Sequence, residues 1–137
     1  MKAEFLIGVL VILTGAAHAQ GQRTCLVGVT RTENGEVTRD DVTEQECERG
    51  HTTCQTKMEW YESFDREVEI FTVRRKCQTS AACGSNKSGN RINCFSNSAR
   101  RKRVRVCFEC CFGDLCNNQS ELPPFPENVL QSVQPGK

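Results

Sequence analysis

The 137-residue chain has few of the residues from which a large hydrophobic core is built. Hydrophobic residues make up 37% of it and aromatic residues 7%, with a single Trp and a single Tyr. Histidine is also scarce, and of the two present only His51 lies beyond the first 20 residues. No second histidine and no carboxylate pair stands at a recognisable spacing, so the sequence does not show the catalytic residues of a hydrolase. We therefore expect a protein that is not an enzyme, with no catalytic residues and no cofactor.

Long apolar runs are absent apart from one near the start of the chain. Phe5 to Leu13 form this run, which is too short to cross a bilayer core of roughly 30 Å. It follows Lys2 and precedes Ala17-His18-Ala19, a small-x-small cleavage pattern. Residues 1–19 are therefore predicted to be a secretory signal peptide, with a mature chain that starts at Gln20.

The last segment, residues 118–137, is polar and rich in proline, and it lacks the 10–20 apolar residues of a lipid-anchor signal. This composition predicts a disordered tail. Together with the signal peptide it predicts a secreted, extracellular protein without a membrane anchor. Nucleic acid is not expected as a partner of such a protein, and we expect a monomer.

Cysteine, in contrast, is abundant, and all ten cysteines follow the predicted cleavage site. An even number of cysteines in an oxidising compartment indicates a disulfide framework, in which each bond stabilises the fold by roughly 2–4 kcal/mol. A zinc site would require two separated C-x-x-C pairs, but Cys107-x-x-Cys110 stands alone. We therefore expect no metal site.

The densest cysteine cluster is CFECCFGDLCNN, residues 107–118. Its adjacent Cys110 and Cys111 would point to opposite faces of a strand and should therefore have different partners. Gly113 and Asp114 favour a tight loop that can bring Cys116 onto Cys111. Cys110 is then left to bond far back along the chain, so that this cluster ties distant segments together.

The rest of the chain is typical of strands and predicts a small, disulfide-rich all-β fold of three hairpins. Asn34-Gly35 favours a type I′ turn in the first hairpin. A second turn around 63–67 would pair Trp60 with Phe71 and Met58 with Val73. The third unit, Cys83 to Cys110, should begin with a flexible GSNKSGN segment and form strands near 91–95 and 103–108.

The ending Cys110-Cys111-x4-Cys116-Asn117 resembles that of three-finger domains of the lymphocyte antigen 6 and urokinase receptor type, relatives of snake toxins. The resemblance covers residues 25–117, leaving 20–24 as a short leader. It implies a three-finger fold in which Asn117 hydrogen-bonds back to the core. It also implies a set of disulfides, namely Cys25–Cys54, Cys47–Cys77, Cys83–Cys110 and Cys111–Cys116.

The chain departs from this family in one cysteine pair. The extra pair that usually staples the first finger is missing, because Leu26-Val27-Gly28 follow Cys25. Cys94 and Cys107 remain instead, and we expect them to pair across a hairpin centred near Arg100-Arg101. Directly opposed antiparallel residues lie roughly 4.5–5.5 Å apart at Cα, which is within disulfide range.

Charge is strongly segregated along the chain. Residues 33–69 carry twelve acidic and four basic side chains, a net charge of −8, whereas residues 70–108 carry ten basic and no acidic side chains. The basic residues culminate at the expected tip of the third finger, which gives the partner-binding candidates Arg100, Arg101, Lys102, Arg103 and Arg105. They predict an anionic partner, unless they are an ordinary solvated fingertip. Arg100-x-Lys102-Arg103 also resembles a proprotein-convertase site.

Two sequons, at Asn86 and Asn118, are glycosylation candidates.

The function that the family resemblance implies is binding: a soluble ligand or modulator of a cell-surface receptor or channel. An alternative is a structural component of an extracellular matrix, mineralised or rich in glycosaminoglycan, held there by its bipolar charge. A toxin is a further alternative. The expected partner is thus an extracellular receptor or a polyanionic matrix component.

Overall fold

The structure, a computed structural model, describes residues 22–131. The predicted signal peptide, the predicted start at Gln20 and residues 132–137 lie outside this range. The strands are β1 (Thr24–Glu33), β2 (Glu36–Asp40), β3 (Thr43–Glu46), β4 (Thr53–Glu62), β5 (Glu69–Gln78) and β6 (Val104–Cys111). The helices are α1 (Ser80–Ser88), α2 (Asn90–Asn93), α3 (Asn97–Lys102) and α4 (Glu127–Gln131). None of these helices is long and apolar enough to cross a membrane.

The strands form an antiparallel sheet in the order β2-β1-β5-β4-β6, and β3 pairs with the first half of β1. Two of the predicted hairpins are confirmed. Asn34 and Gly35 both have positive φ, 49° and 83°, at the turn between β1 and β2. In the hairpin of β4 and β5, Trp60 pairs with Phe71 and Met58 with Val73. Local turn chemistry and two-residue periodicity therefore set this part of the fold.

The third predicted hairpin is wrong. The predicted strand near 91–95 and the flexible segment before it are replaced by α1, α2 and α3, and only β6 is extended. Thr79 caps α1 by accepting a hydrogen bond from the backbone N–H of Ala82, and Ser96 caps α3 in the same way. The basic residues in the last turn of α3 also interact favourably with its carbonyl end.

Five disulfides join the described cysteines, and no free cysteine remains among them. The pairs are Cys25–Cys54, Cys47–Cys77, Cys83–Cys110, Cys94–Cys107 and Cys111–Cys116. These are the expected pairs, but the expected geometry of Cys94–Cys107 is wrong. Cys94 ends helix α2, so the bond, with Cα atoms 4.9 Å apart, ties a helix to β6 and does not cross a hairpin.

The described residues form two small cores. In one, Cys25, Cys47 and Cys54 pack with their disulfide partners and with Cys111–Cys116. The other centres on Met58, Val73 and the Cys94–Cys107 bond, with Phe71, Phe95 and Leu122 packed around it. Disulfide sulfur thus supplies much of the buried apolar material that the sequence otherwise lacks.

The segment after the last cysteine also differs from its prediction as a disordered tail. Leu122 packs on the second core, Val129 is buried, and the described part of the segment ends in α4. Polar contacts accompany this packing, because the side chain of Gln119 accepts a hydrogen bond from Thr56 at 2.9 Å. Hereafter residues 118–125 are called the strap, because they cover the sheet face that carries Met58 and Val73.

Candidate binding surfaces

Arg105, one of the predicted partner-binding residues, is buried and holds the strap. Only 5% of it is exposed. Its Nε donates to the carbonyl of Cys94 at 2.9 Å and its Nη2 to the carbonyl of Pro123 at 2.7 Å, while its guanidinium stacks 4.0 Å from the centre of the Phe125 ring. Burial lowers the pKa of Arg105. This side chain is therefore a structural anchor and has little surface left for a partner.

Arg75 makes a second anchor for the strap. It is 8% exposed, and its Nε and Nη2 donate to the carbonyls of Asn117 and Gln119, at 3.0 and 2.8 Å. Burial lowers its pKa, whereas Asp40 acts in the opposite direction. Two guanidinium groups, one on β5 and one on β6, thus bind the backbone of the segment that crosses these strands.

Two more of the candidate arginines are engaged within the chain. Arg103, which ends α3 with a φ of 54°, forms an ion pair with Glu62 at 3.2 Å and donates to the carbonyl of Ser63 at 3.0 Å. Arg100 donates to the carbonyl of Val129 at 3.2 Å. The basic run therefore joins β6 to the β4–β5 turn and to α4, and it is not a free fingertip.

Arg101 and Lys102 are the candidates that remain exposed. They lie on α3, which contacts α2, where Arg91 is also exposed. These three residues are hereafter called the basic helical edge. Both helices contact β6, at the edge of the sheet farthest from the acidic strand β2. The edge could contact an anionic partner, with fewer cations than the sequence predicted.

The face of the sheet opposite the strap carries a mixed apolar and charged surface, which lies outside the partner-binding residues predicted from the basic run. Register places Tyr61 beside Ile70 on β5 and Val104 on β6, and Glu59 beside Val106. Tyr61 and Val104 are 43% and 42% exposed. We call this surface the open sheet face, formed by Arg31, Glu59, Tyr61, Ile70, Arg74, Val104 and Val106, which line a groove of about 270 Å³. Successive residues of a strand point to opposite faces of the sheet. The predicted pairing of Trp60 with Phe71 on one face therefore implied that Tyr61 lies on the other.

Charges on the open sheet face are held in place by ion pairs. Glu59 accepts hydrogen bonds from Lys57 at 2.7 Å and from Arg74 at 3.0 Å. Partial burial alone would raise the pKa of Glu59, but these two cations outweigh burial and lower it. The carboxylate therefore stays ionised beside the exposed apolar side chains.

Asn117 has the contacts that the family resemblance implies. It is fully buried, its Oδ1 accepts from the backbone N–H of Leu26 at 2.9 Å, and its Nδ2 donates to the carbonyls of Leu26 and Gln55 at 2.8 and 3.3 Å. The side chain therefore bridges β1 and β4. The neighbouring sequon residue Asn118 is exposed, whereas Asn86 of the other sequon is half-buried within α1.

Two groups of three cysteine sulfurs could resemble metal sites in the described chain, namely Cys25, Cys47 and Cys77, and Cys54, Cys111 and Cys116. Every one of these sulfurs is in a disulfide. A disulfide offers no thiolate, the form of cysteine that binds metal ions. Both groups are therefore part of the disulfide core.

Comparisons of the chain with protein-family models, with curated proteins and with solved structures find no match. The features available for assigning a function are therefore the disulfide pattern, the role of Asn117 and the surfaces described above.

Proposed function

We propose that the chain is a secreted, non-enzymatic binding protein of three-finger topology, acting as a soluble ligand or modulator of a cell-surface receptor or channel. The two hairpins and the helical third unit would be the three fingers. Support for this topology comes from the disulfide pattern and from Asn117, which bonds to β1 and β4 behind the last cysteine. Five disulfides also suit an extracellular protein.

The observation that carries the proposal is the open sheet face. Tyr and Arg side chains are enriched at the centres of protein interfaces, and here Tyr61, Arg31 and Arg74 line a groove together with aliphatic side chains. Cys25–Cys54 cross-links β1 to β4, and further disulfides tie β5 and β6 to neighbouring segments, so little backbone entropy would be lost on binding. Such a surface fits a protein partner better than it fits a small substrate.

Secretion and binding can be tested with one recombinant protein. It should appear in culture medium with Gln20 as its first residue. Labelled protein should then bind saturably to cells of the source tissue, and changing Tyr61 and Val104 together to serine should weaken binding at least tenfold. Val37→Ser combined with Phe64→Ser is the matched control, because these side chains are even more exposed, at 64% and 79%, but lie elsewhere. Equal binding by both variants would contradict this use of the face.

A matrix component is the second candidate, and the basic helical edge favours it. If Arg91, Arg101 and Lys102 contact a sulfated polymer, the protein should elute from heparin only above physiological salt, because each contact releases counterions. Changing all three to serine should remove most of the retention. Changing Arg31, Arg74 and Lys76 to serine removes the same charge from the sheet as a control. Equal loss in both variants would indicate diffuse charge, and no loss would exclude this candidate.

A further inference from the structure

A groove of about 300 Å³ lies where the strap crosses the ends of the two hairpins. It is on the opposite side of the sheet from the open sheet face, so it is independent of the function proposed above. Its lining comes from β1, β4, β5, the β1–β2 turn and the strap. Most of the wall is apolar, and Trp60 and Phe71, a directly opposed pair, contribute to it together with Leu122. We call it the aromatic groove.

Both charged residues that line the aromatic groove are acidic, Glu69 and Glu121. Glu69 is held in place at two points. Its carboxylate accepts a hydrogen bond from the indole Nε1 of Trp60 at 2.8 Å, and its backbone N–H donates to the side chain of Asn34 at 2.7 Å. The β1–β2 turn therefore fixes a carboxylate against an aromatic wall, and the strap contributes a second one.

This combination selects for an organic cation. The face of an aromatic ring attracts positive charge, and nearby carboxylates add a further attraction. An anion would be repelled, and a neutral apolar group would cover the carboxylates without pairing them. Arg105 pairs with Trp60 on the neighbouring strand β6 and is a cation of the chain itself. Its guanidinium, however, already contacts the Phe125 ring and the carbonyls of Cys94 and Pro123, so it does not pair with the carboxylates of the groove.

Size and shape decide between a free small molecule and a side chain. The volume is at the lower end of the range for ligand pockets, which suits one side chain, and the groove is open to solvent. A free cation would remain partly hydrated there, whereas a side chain on a protein is supported by the contacts around it. We propose that the aromatic groove binds an arginine or lysine side chain presented by a protein partner.

The only tryptophan of the chain lies in this groove, so its indole N–H gives a specific NMR signal. The probe is acetyl-Gly-Arg-Gly-amide, titrated into the 15N-labelled protein beside the same peptide with citrulline, which has nearly the same shape and no charge. The arginine peptide should shift the Trp60 indole signal saturably, with a Kd of about 1–10 mM, as expected for a single side chain. The citrulline peptide should cause at least tenfold less shift at equal concentration.

Glu69→Gln combined with Glu121→Gln should weaken the arginine peptide at least fivefold, while keeping an acceptor for the indole N–H. Glu44→Gln combined with Glu46→Gln, two exposed residues of β3, is the control of equal charge outside the groove and should bind as the unchanged protein does. Backbone amide signals report whether each variant is folded. Equal shifts from the arginine and citrulline peptides, or equal weakening in both double variants, would overturn the proposal, as would no shift at 50 mM peptide, about five times the highest expected Kd.

Discussion

Replacing Arg105 by lysine tests whether the strap is anchored by a guanidinium group. Lysine keeps the positive charge and most of the aliphatic stem. Its ammonium group, however, is a point donor without the planar fork that reaches Cys94 and Pro123 together and stacks on Phe125. The variant therefore separates the geometry of the anchor from its charge.

The expected cost follows from these contacts. Lysine can retain one of the two hydrogen bonds to carbonyl groups, and the loss of the other should cost about 1.5–3 kcal/mol, the range for hydrogen bonds to charged groups. Loss of the stacking on Phe125 should add about 1 kcal/mol. We expect the free energy of unfolding to fall by about 3 kcal/mol, a large share of the 5–15 kcal/mol typical of small domains.

Denaturant unfolding with the disulfides intact measures this change, followed through the fluorescence of Trp60, the strand neighbour of Arg105. Arg101→Lys is the matched control, because Arg101 is exposed and the same substitution there should change stability by less than about 0.5 kcal/mol. Limited proteolysis should also cut the strap faster in Arg105→Lys. If Arg105→Lys and Arg101→Lys unfold at the same denaturant concentration, the guanidinium does not anchor the strap.

Three further predictions concern single interactions. Asn117→Ala should lower the free energy of unfolding by about 3 kcal/mol, because the three hydrogen bonds of this buried side chain are lost. Asn118 is exposed, so Asn118→Ala should have no measurable effect in the same denaturant assay. Similar values for the two variants would contradict the bridging role of Asn117. Changing Cys94 and Cys107 together to alanine should lower the free energy of unfolding by about 3 kcal/mol, the value expected for the loop they close, and should leave the circular dichroism spectrum unchanged. The spectrum of an unfolded chain would show instead that this bond is required for folding. Because the folded-state pKa of Glu59 is lowered, its stabilising contribution is present above its ordinary pKa and is lost as the pH falls through the lower, folded-state value. Glu59→Gln should therefore be less stable than the unchanged protein at neutral pH and equally stable in acid. A stability difference of the same size at both pH values would refute this.

The parts of the fold that could be predicted are those in which local chemistry and long-range pairing agree. Asn34-Gly35 specifies its turn by itself, and the alternation around Trp60 and Phe71 fixes the register of the β4–β5 hairpin. The cysteine order of the resembled family implied four of the five bonds. The fifth followed because two cysteines remained, so its pairing could be correct although its hairpin geometry was wrong.

The helices of the third unit could not be predicted from periodicity, because helices of four to nine residues have little stability of their own. They are held by tertiary contacts: Cys83 and Cys94 are bonded to β6, and the side chain of Asn90 pairs with the backbone of Phe108 through hydrogen bonds of 2.8 Å. The signals that existed were Thr79 and Ser96 as N-caps and the cations at the end of α3.

The role of Arg105 could have been inferred from its position two residues before Cys107. Residues i and i+2 of a strand share a face, and a disulfide cysteine is usually buried, so that Arg105 had to face the interior side of β6. The density of charged residues along the sequence does not show which of these side chains are buried in the fold. For this reason the predicted fingertip divides into one buried anchor, Arg105, two residues with contacts inside the chain, Arg100 and Arg103, and the exposed Arg101 and Lys102.

The buried arginines explain why one face of the sheet is covered by the chain itself while the other face is exposed. A guanidinium loses its hydration on burial, so carbonyl groups must replace the water. Here they come from Asn117 and, within the strap, from Gln119 and Pro123. One face is thereby closed by the chain itself, apart from the aromatic groove at its end. Within residues 22–131 no segment covers Tyr61 and Val104 on the other face in this way, and both are exposed. A partner could therefore bind the open sheet face without displacing the strap, so binding there should leave the proteolysis rate of the strap unchanged.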